Sequence, residues 1–255
     1  MDIPNYTEEI FSKKKNDYAL VIPVINEGDK IRNQLKKVKL NNLNVDVIIA
    51  DGGSSDGSLD SNFLQEQEVR TILIKNDLGK LSSQLRIAYF WALKEGYKGI
   101  ITIDGNGKDD VSYISKIKNR LMQGYDYIQG SRYISGGISK NTPIHRKIGN
   151  QLILTPLISL STGFKFTDTT NGFRGYSSKF LQDNNVQPFR NIFCNYELLF
   201  YLSIRACKLN FRICEVPVSR IYPKGAPIPT KIVGIKAKLN ILKETISAIM
   251  GFYNP

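Results

Sequence analysis

The ten residues ITIDGNGKDD, 101–110, crowd three carboxylates (Asp104, Asp109, Asp110), one amide (Asn106), one ammonium (Lys108) and two glycines into a short span. An apolar, β-branched run that stops at a carboxylate reads as a strand delivering oxygen ligands into a tight turn. In an open α/β sheet, ligands sit beyond the carboxyl ends of the strands. Asp104 and Asn106 therefore stand where a phosphorylated substrate and its divalent cation would be held. The same residue types also build plain turns that only cap a helix, so the surrounding elements have to decide between the two.

Those elements alternate. YALVIPVI (18–25) reads as a buried strand, and the helix after it places Ile31, Leu35 and Val38 on one face. VDVIIAD (45–51) is a second strand, ending in GGSSDGS, where Asp56 or Ser58 would cap the next helix. TILIK (71–75) is a third, followed by a helix from about Ser82 that stops at Gly96. GIITID is the fourth, with a helix in VSYISKIKNRLMQG. Strands alternating with helices imply crossover connections and an α/β fold with a mostly parallel central sheet flanked by helices.

Beyond residue 125 the rhythm changes to YIQGSRYISGG, a helix over about 144–160, the loop TGFKFTDTTNGFRGYS, a helix over about 196–208 and the strand RICEVPVSR. No repeat or linker divides the chain. The expected organisation is one domain, 1–225, with halves of about 18–125 and 126–225, followed by a helical tail, 226–255. In the tail Thr230 would cap an amphipathic helix whose Ile232, Ile235, Leu239, Leu242, Ile246 and Ile249 follow steps of three and four, flanked by Lys231, Lys236, Lys238 and Lys243. Such a face suits packing on its own domain, a second subunit in a homodimer, or a membrane surface where lysines reach the headgroups.

Composition narrows the partners. With 35 Lys and Arg against 23 Asp and Glu, the formal charge of +12 favours anionic ligands. The basic residues are scattered and lack interleaved aromatics, so no nucleic acid is expected as a partner. The apolar stretch 152–160 is far shorter than the ~20 residues of a spanning helix, and no secretory signal is evident. Cys194, Cys207 and Cys214 are odd in number and lack CxxC spacing, which fits free thiols in a cytoplasmic setting.

Taken in order, PVINE, ADGGSSDG, IDGN, QGSR, DTTNGFR and EVPV make residues 18–225 resemble the family 2 glycosyltransferases of GT-A fold, and among them the dolichyl-phosphate mannose synthase and polyprenyl-phosphate glycosyltransferase branch. The resemblance implies that Pro23, Glu27, Asp51 and Gly53 hold the base and ribose of a UDP- or GDP-linked sugar. It implies that Asp104 opens the DxD element that engages diphosphate and metal, Mg²⁺ or Mn²⁺, with Asn106 as second ligand. Arg132 would meet the acceptor phosphate, helped by Arg146 and Arg174, and Asp168 joins Asp104 and Arg132 as a candidate catalytic group.

The departures are Ile25 where the family has an aromatic, Asn106 where the second acid stands, and Lys108 where Gln is frequent. One anionic ligand fewer predicts weaker metal binding. The reaction implied is inverting displacement at the anomeric carbon by a polyprenyl phosphate at the inner membrane face. Two other readings stand beside it: transfer to a hydroxyl of a glycan or small molecule in cell-surface polysaccharide synthesis, where Asp168 or Glu197 would serve as base, and a non-catalytic nucleotide-sugar binding protein. The lone His145, between Ile144 and Arg146, reads as a surface or phosphate-contact residue.

Overall fold

The run YALVIPV forms a strand in which every residue after Tyr18 is buried, as expected for a strand covered on both faces. The computed structural model describes residues 2–223 and 234–255. In chain order the first half comprises β1 (Tyr6–Ile10), β2 (Tyr18–Val24), α1 (Asp29–Asn41), β3 (Asp46–Asp51), α2 (Ser61–Glu66), β4 (Val69–Lys75), α3 (Leu81–Lys94), β5 (Gly99–Thr102) and α4 (Ile114–Met122). The second comprises β6 (Tyr127–Ser131), β7 (Ile138–Lys140), α5 (Ile144–Ile148), α6 (Thr155–Thr162), β8 (Arg174–Ser177), α7 (Ser178–Gln182), α8 (Glu197–Lys208), β9 (Ile213–Pro217), β10 (Ser219–Ile221) and α9 (Gly234–Ile249).

The main sheet runs β1-β4-β3-β2-β5-β8-β6-β9. Strands β2, β3, β4 and β5 are parallel to their neighbours in that set, and β6 and β9 are parallel to each other. The expected mostly parallel sheet with flanking helices is the fold observed. Two antiparallel strands were not expected from the sequence. The polar β1 pairs with β4 at the edge, and β8, inside the segment read as a loop, joins β5 to β6.

Alternation along the strands feeds two core layers. Val21, Ile48, Ala50, Leu73 and Ile100 face Leu85, Ala88 and Trp91 of α3 and Leu198 and Leu202 of α8. Leu20, Ile22, Ile49 and Ile101 face Ile31 and Leu35 of α1 and Ile114 and Ile117 of α4. The sheet is thus clamped from both sides, and its strand ends are fixed relative to one another.

Three local expectations are corrected. Helix α2 is capped by Asp60, whose side chain accepts from Phe63 N, because Asp56 and Ser58 bond each other one turn earlier. The helix expected over 144–160 contains a π-helical turn, Gly149–Leu154, between α5 and α6. Helix α9 turns Ile241, Thr245, Ala248 and Ile249 inward and leaves Leu239 and Ile246 exposed, so the buried face shares Ile249 with the stripe read from the sequence but not Leu239 or Ile246. Thr230, Lys231 and Ile232 lie outside the described residues.

Seating α9 on the domain buries one carboxylate at a cost. Glu244 Oε2 is buried without a hydrogen-bond partner, and burial together with the nearby Glu197 pushes its pKa up to about 7. A carboxyl whose pKa is higher folded than unfolded binds more protons in the native state, so stability falls as pH rises from about 4.5 towards 7. Glu244→Gln should raise the thermal midpoint at pH 8 and lose that advantage below pH 4.5, where both states of the wild type hold the proton. Thermal unfolding across this range checks it, and parallel curves for the two proteins would exclude the assignment.

Candidate active site

Strands β2, β3 and β5 end at one edge, and their loops interlock there. Asn26 N donates to Ser54 Oγ at 3.0 Å, Ser55 N donates to Asn26 Oδ1 at 2.8 Å, and Gly28 N donates to Asp56 Oδ2 at 2.8 Å. Asp51 accepts from Ser54 N at 3.0 Å and from Ser54 Oγ at 2.6 Å. Behind them the buried Gln84 donates to Val24 O and Ala50 O. Pro23 is buried, Glu27 lies 3.6 Å from Lys30, and Gly53, at φ 94°, borders open space. The four residues expected to form one side of a pocket are therefore gathered on two adjoining loops.

The Asp104 loop is held by a residue from α1: Gln34 Nε2 donates to Asp104 O at 3.0 Å, and its Oε1 accepts from Gly107 N at 2.9 Å. Backbone pairing then brings in β10. Asp110 N donates to Ser219 O, and Ile221 N donates to Lys108 O. This register sets Arg220 between two carboxylates, with Nη2 2.9 Å from Asp104 Oδ2 and Nη1 bonded to Asp109 Oδ2.

Asp109 is sealed, and burial holds its pKa up despite Arg220. Asp104 keeps 27% of its side chain exposed; burial opposes ionisation there too, but the charges of Arg220 and Lys108 outweigh it and hold its pKa down. The Lys108 ammonium lies 4.9 Å from the centroid of the Tyr222 ring. Burial and the Arg220 charge lower its pKa to about 8. Arg220 and Arg146 bracket the same ring at 5.8 and 6.0 Å, and Arg146 Nη1 reaches Tyr222 Oη at 3.4 Å. A π face attracts cations, so one buried tyrosine organises three of them.

The second half centres on a buried ion pair. Arg132 Nε and Nη2 donate to Asp168 Oδ2 and Oδ1 at 2.6 and 2.9 Å, a bidentate fork, and Nη2 also reaches Thr170 Oγ1 at 3.1 Å. Asn150, in the π turn, donates to Asp168 Oδ1 at 2.9 Å, and Glu215 of β9 accepts from Thr167 N and Asp168 N. Tyr133, whose ring centroid lies 5.2 Å from the Arg132 guanidinium, also lines a groove of about 460 Å³ with Pro156, Leu160, Lys165 and Phe166.

The two halves touch. A Cβ on Gly172 would fall 2.4 Å from Asp104 Oδ1, so only glycine lets the loop 168–173 pass this carboxylate. Gly172→Ala should displace Asp104 and lower turnover at least about tenfold, the scale of a sub-ångström misplacement at a reacting centre, with little change in thermal midpoint. Steady-state kinetics beside a melting curve decide it; unchanged turnover would show that the contact has no functional weight.

Of the residues singled out from the sequence, Asp104, Asn106, Arg132, Asp168 and Arg146 converge, whereas Arg174 does not. Its guanidinium is 1% exposed and donates to the carbonyls of Asn171, Thr169 and Leu199, which leaves it no surface to offer a ligand. Sequence reasoning missed Arg220, Tyr222, Gln34 and Asn150, and held Glu215 only as part of the EVPV motif, without a role. A signal existed for two of them: Val216, Val218, Arg220 and Tyr222 alternate and are all buried, so an arginine shares a face with two valines.

The donor set fits a resident Mg²⁺ or Mn²⁺ poorly. Asp104 Oδ2 is occupied by Arg220, Asn106 turns Nδ2 towards it at 3.4 Å, and Asp109 is sealed behind the guanidinium. Among the described residues no three His, Cys, Asp or Glu side chains converge. Hard divalent cations need several oxygens; two cations flank Asp104, and the exposed Asp110 accepts from Ser112 N at 3.0 Å.

Residues 19–184 match the sequence profile of Glycosyl transferase family 2. The chain is 24% identical over 203 residues to a polyprenol monophosphomannose synthase of Mycolicibacterium smegmatis, covering 78% of this chain and 76% of that protein. It is 27% identical over 223 residues to a UDP-N-acetylglucosamine--dolichyl-phosphate N-acetylglucosaminyltransferase of Methanococcus voltae, covering 80% and 85%. In fold it is similar to glucosyl-3-phosphoglycerate synthase of Mycobacterium tuberculosis, solved with Mn²⁺, UDP and glucosyl-3-phosphoglycerate, at TM-score 0.65 and 13% identity over 91% of this chain and 80% of that one. The match spans well over half of the chain, and the interlocked loops at the ends of β2, β3 and β5 lie within it: this protein belongs to the family 2 glycosyltransferases and has the GT-A fold.

Proposed function

We propose that this glycosyltransferase moves a sugar from a UDP- or GDP-linked donor to a polyprenyl phosphate, working peripherally at the inner face of a membrane. The observation that carries the reading is the buried Arg132–Asp168 fork beside an apolar-walled groove, a cation fixed where a lipid phosphate and its first isoprene units would lie side by side. The names of the relatives from Mycolicibacterium smegmatis and Methanococcus voltae support the same acceptor class.

The segment that lines this groove also bears Ile144, Ile148, Leu152, Ile153 and Leu160 as exposed residues, next to Arg146 and Lys147. An apolar helix face rimmed by cations suits the boundary between headgroups and acyl chains. Among the described residues no helix is long and apolar enough to cross a membrane.

On this reading the donor base and ribose lie against Pro23, Glu27, Asp51 and Gly53, and the diphosphate lies near Asp104. A phosphate oxygen of the acceptor attacks the anomeric carbon. The bond from that carbon to the donor's β-phosphate oxygen breaks, its electron pair leaves with the nucleoside diphosphate, and the configuration inverts. A phosphomonoester with a second pKa of about 6 is already a nucleophile at neutral pH, so no side chain has to remove a proton. Asp168 then positions Arg132 and does not act as a base. Arg174 has no place in this acceptor site.

The test offers radiolabelled UDP- and GDP-sugars with polyprenyl phosphate or with the dephosphorylated polyprenol. Label in the lipid phase with the phosphate alone supports the reading. Transfer to the alcohol, or to soluble glycans only, rejects it.

A further inference from the structure

The Asp104 loop carries positive charge where a metal site would carry oxygens. We propose that Lys108 and Arg220, gathered on Tyr222, take the part of a divalent cation in neutralising the departing nucleoside diphosphate, so that transfer by this chain proceeds without a metal. The inference rests on the reading of the Asp104 cleft as the donor diphosphate site.

The geometry supports it on three counts. Arg220 bridges Asp104 and Asp109, so its position is fixed from two sides before any ligand arrives. The Lys108 ammonium lies over the Tyr222 ring, on which Arg220 also sits, and its backbone is clamped by Ile221 N. Among the described residues three cations, Lys108, Arg146 and Arg220, gather on Tyr222 beside two carboxylates, Asp104 and Asp109. Preorganised cations aimed at developing charge need no reorganisation when the bond breaks. The same carboxylates are what a metal would require, and Arg220 already holds them.

Transfer redistributes charge without creating any. The acceptor dianion becomes a monoanionic diester as the donor's diphosphate gains one negative charge. A fixed ammonium and a fixed guanidinium, the latter held by Asp104 and Asp109, are matched to that single added charge through their field.

Two readouts test this on the full chain. By calorimetry, UDP and GDP are titrated in EDTA and in Mn²⁺; by lipid extraction, transfer is measured in the same buffers. The expected result is that one nucleotide binds in EDTA and that wild-type rates with and without Mn²⁺ agree within about threefold. Lys108→Gln exchanges an ammonium for an amide oxygen able to ligate a hard cation. It should lose about 100-fold in EDTA, the scale of one removed oxyanion donor, and recover part of it with Mn²⁺. Its melting curve, recorded beside the rates, separates a loss of transfer from a loss of fold.

Nucleotide binding and wild-type turnover that appear only with Mn²⁺ would overturn the inference while leaving the donor site intact. No binding of either nucleotide in either buffer would overturn the donor site and the inference together. A Lys108→Gln variant as active in EDTA as the wild type would remove Lys108 from the proposal and overturn it as stated.

Discussion

Asp168→Ala should destabilise the protein by about 3–5 kcal/mol and reduce transfer more than 100-fold, the largest combined effect expected of any single change near the groove. The stability figure is that for breaking a buried ion pair by removing one partner. Both Asp168 oxygens are in use: Arg132 makes three bonds, two from its guanidinium and one from its backbone N, Asn150 makes one, and the backbone of Thr170 lies close. Without the carboxylate the Arg132 guanidinium is left buried at 6% exposure with Thr170 as its remaining side-chain partner, and the Asn150 amide loses its acceptor. Urea unfolding measures the first effect. Asp168→Asn separates the second, because the amide keeps the volume and one acceptor oxygen; its transfer rate should fall about tenfold or more as the fork becomes monodentate. Wild-type rates in Asp168→Asn would show that the fork does not position Arg132 for transfer.

Arg174→Met should also unfold the protein more readily, but unlike Asp168→Ala it should spare the affinity for acceptor. The carbonyl of Thr169 loses its Arg174 donor, while that of Asn171 keeps Gln129 Nε2 and that of Leu199 keeps Ser203 Oγ; a buried acceptor left unpaired costs roughly 1–3 kcal/mol. The expected loss is about 1–3 kcal/mol, with the KM for polyprenyl phosphate within about twofold of wild type in whatever fraction folds. A variant that melts normally but needs far more acceptor would put Arg174 back at the phosphate. The contrast between the two arginines is therefore measurable: one is held by a carboxylate at the edge of a groove, and the other staples the loop 168–173 to α8.

This contrast also marks how far the sequence could be read. The strand ends at Pro23, Asp51 and Asp104 were legible because apolar runs stop abruptly in turn residues, a pattern that burial on both faces imposes. Strand β8 was not, because RGYS carries neither alternation nor a β-branched residue, and its place between β5 and β6 comes from pairing partners distant in the chain. Arg132, Arg146 and Arg174 look alike in sequence. What separates them is whether the nearest acceptor is Asp168, the Tyr222 hydroxyl or a row of carbonyls, and that is fixed only when β6, α5 and β8 are assembled. The α9 stripe matched only in part for a related reason: helical spacing shows that a face exists, and contact with α8 and α6 decides which face is covered.

The π turn at Gly149–Leu154 gives the helix from Ile144 to Thr162 a built-in phase correction. A residue on a regular α-helix is set about 100° from the next, so removing one residue from this turn would swing everything before it by about that angle. Asn150 would leave Asp168, and Arg146 would leave Tyr222, while α6 stayed seated on the core. Regularising this helix would thus uncouple the two cation clusters without touching a single charged residue.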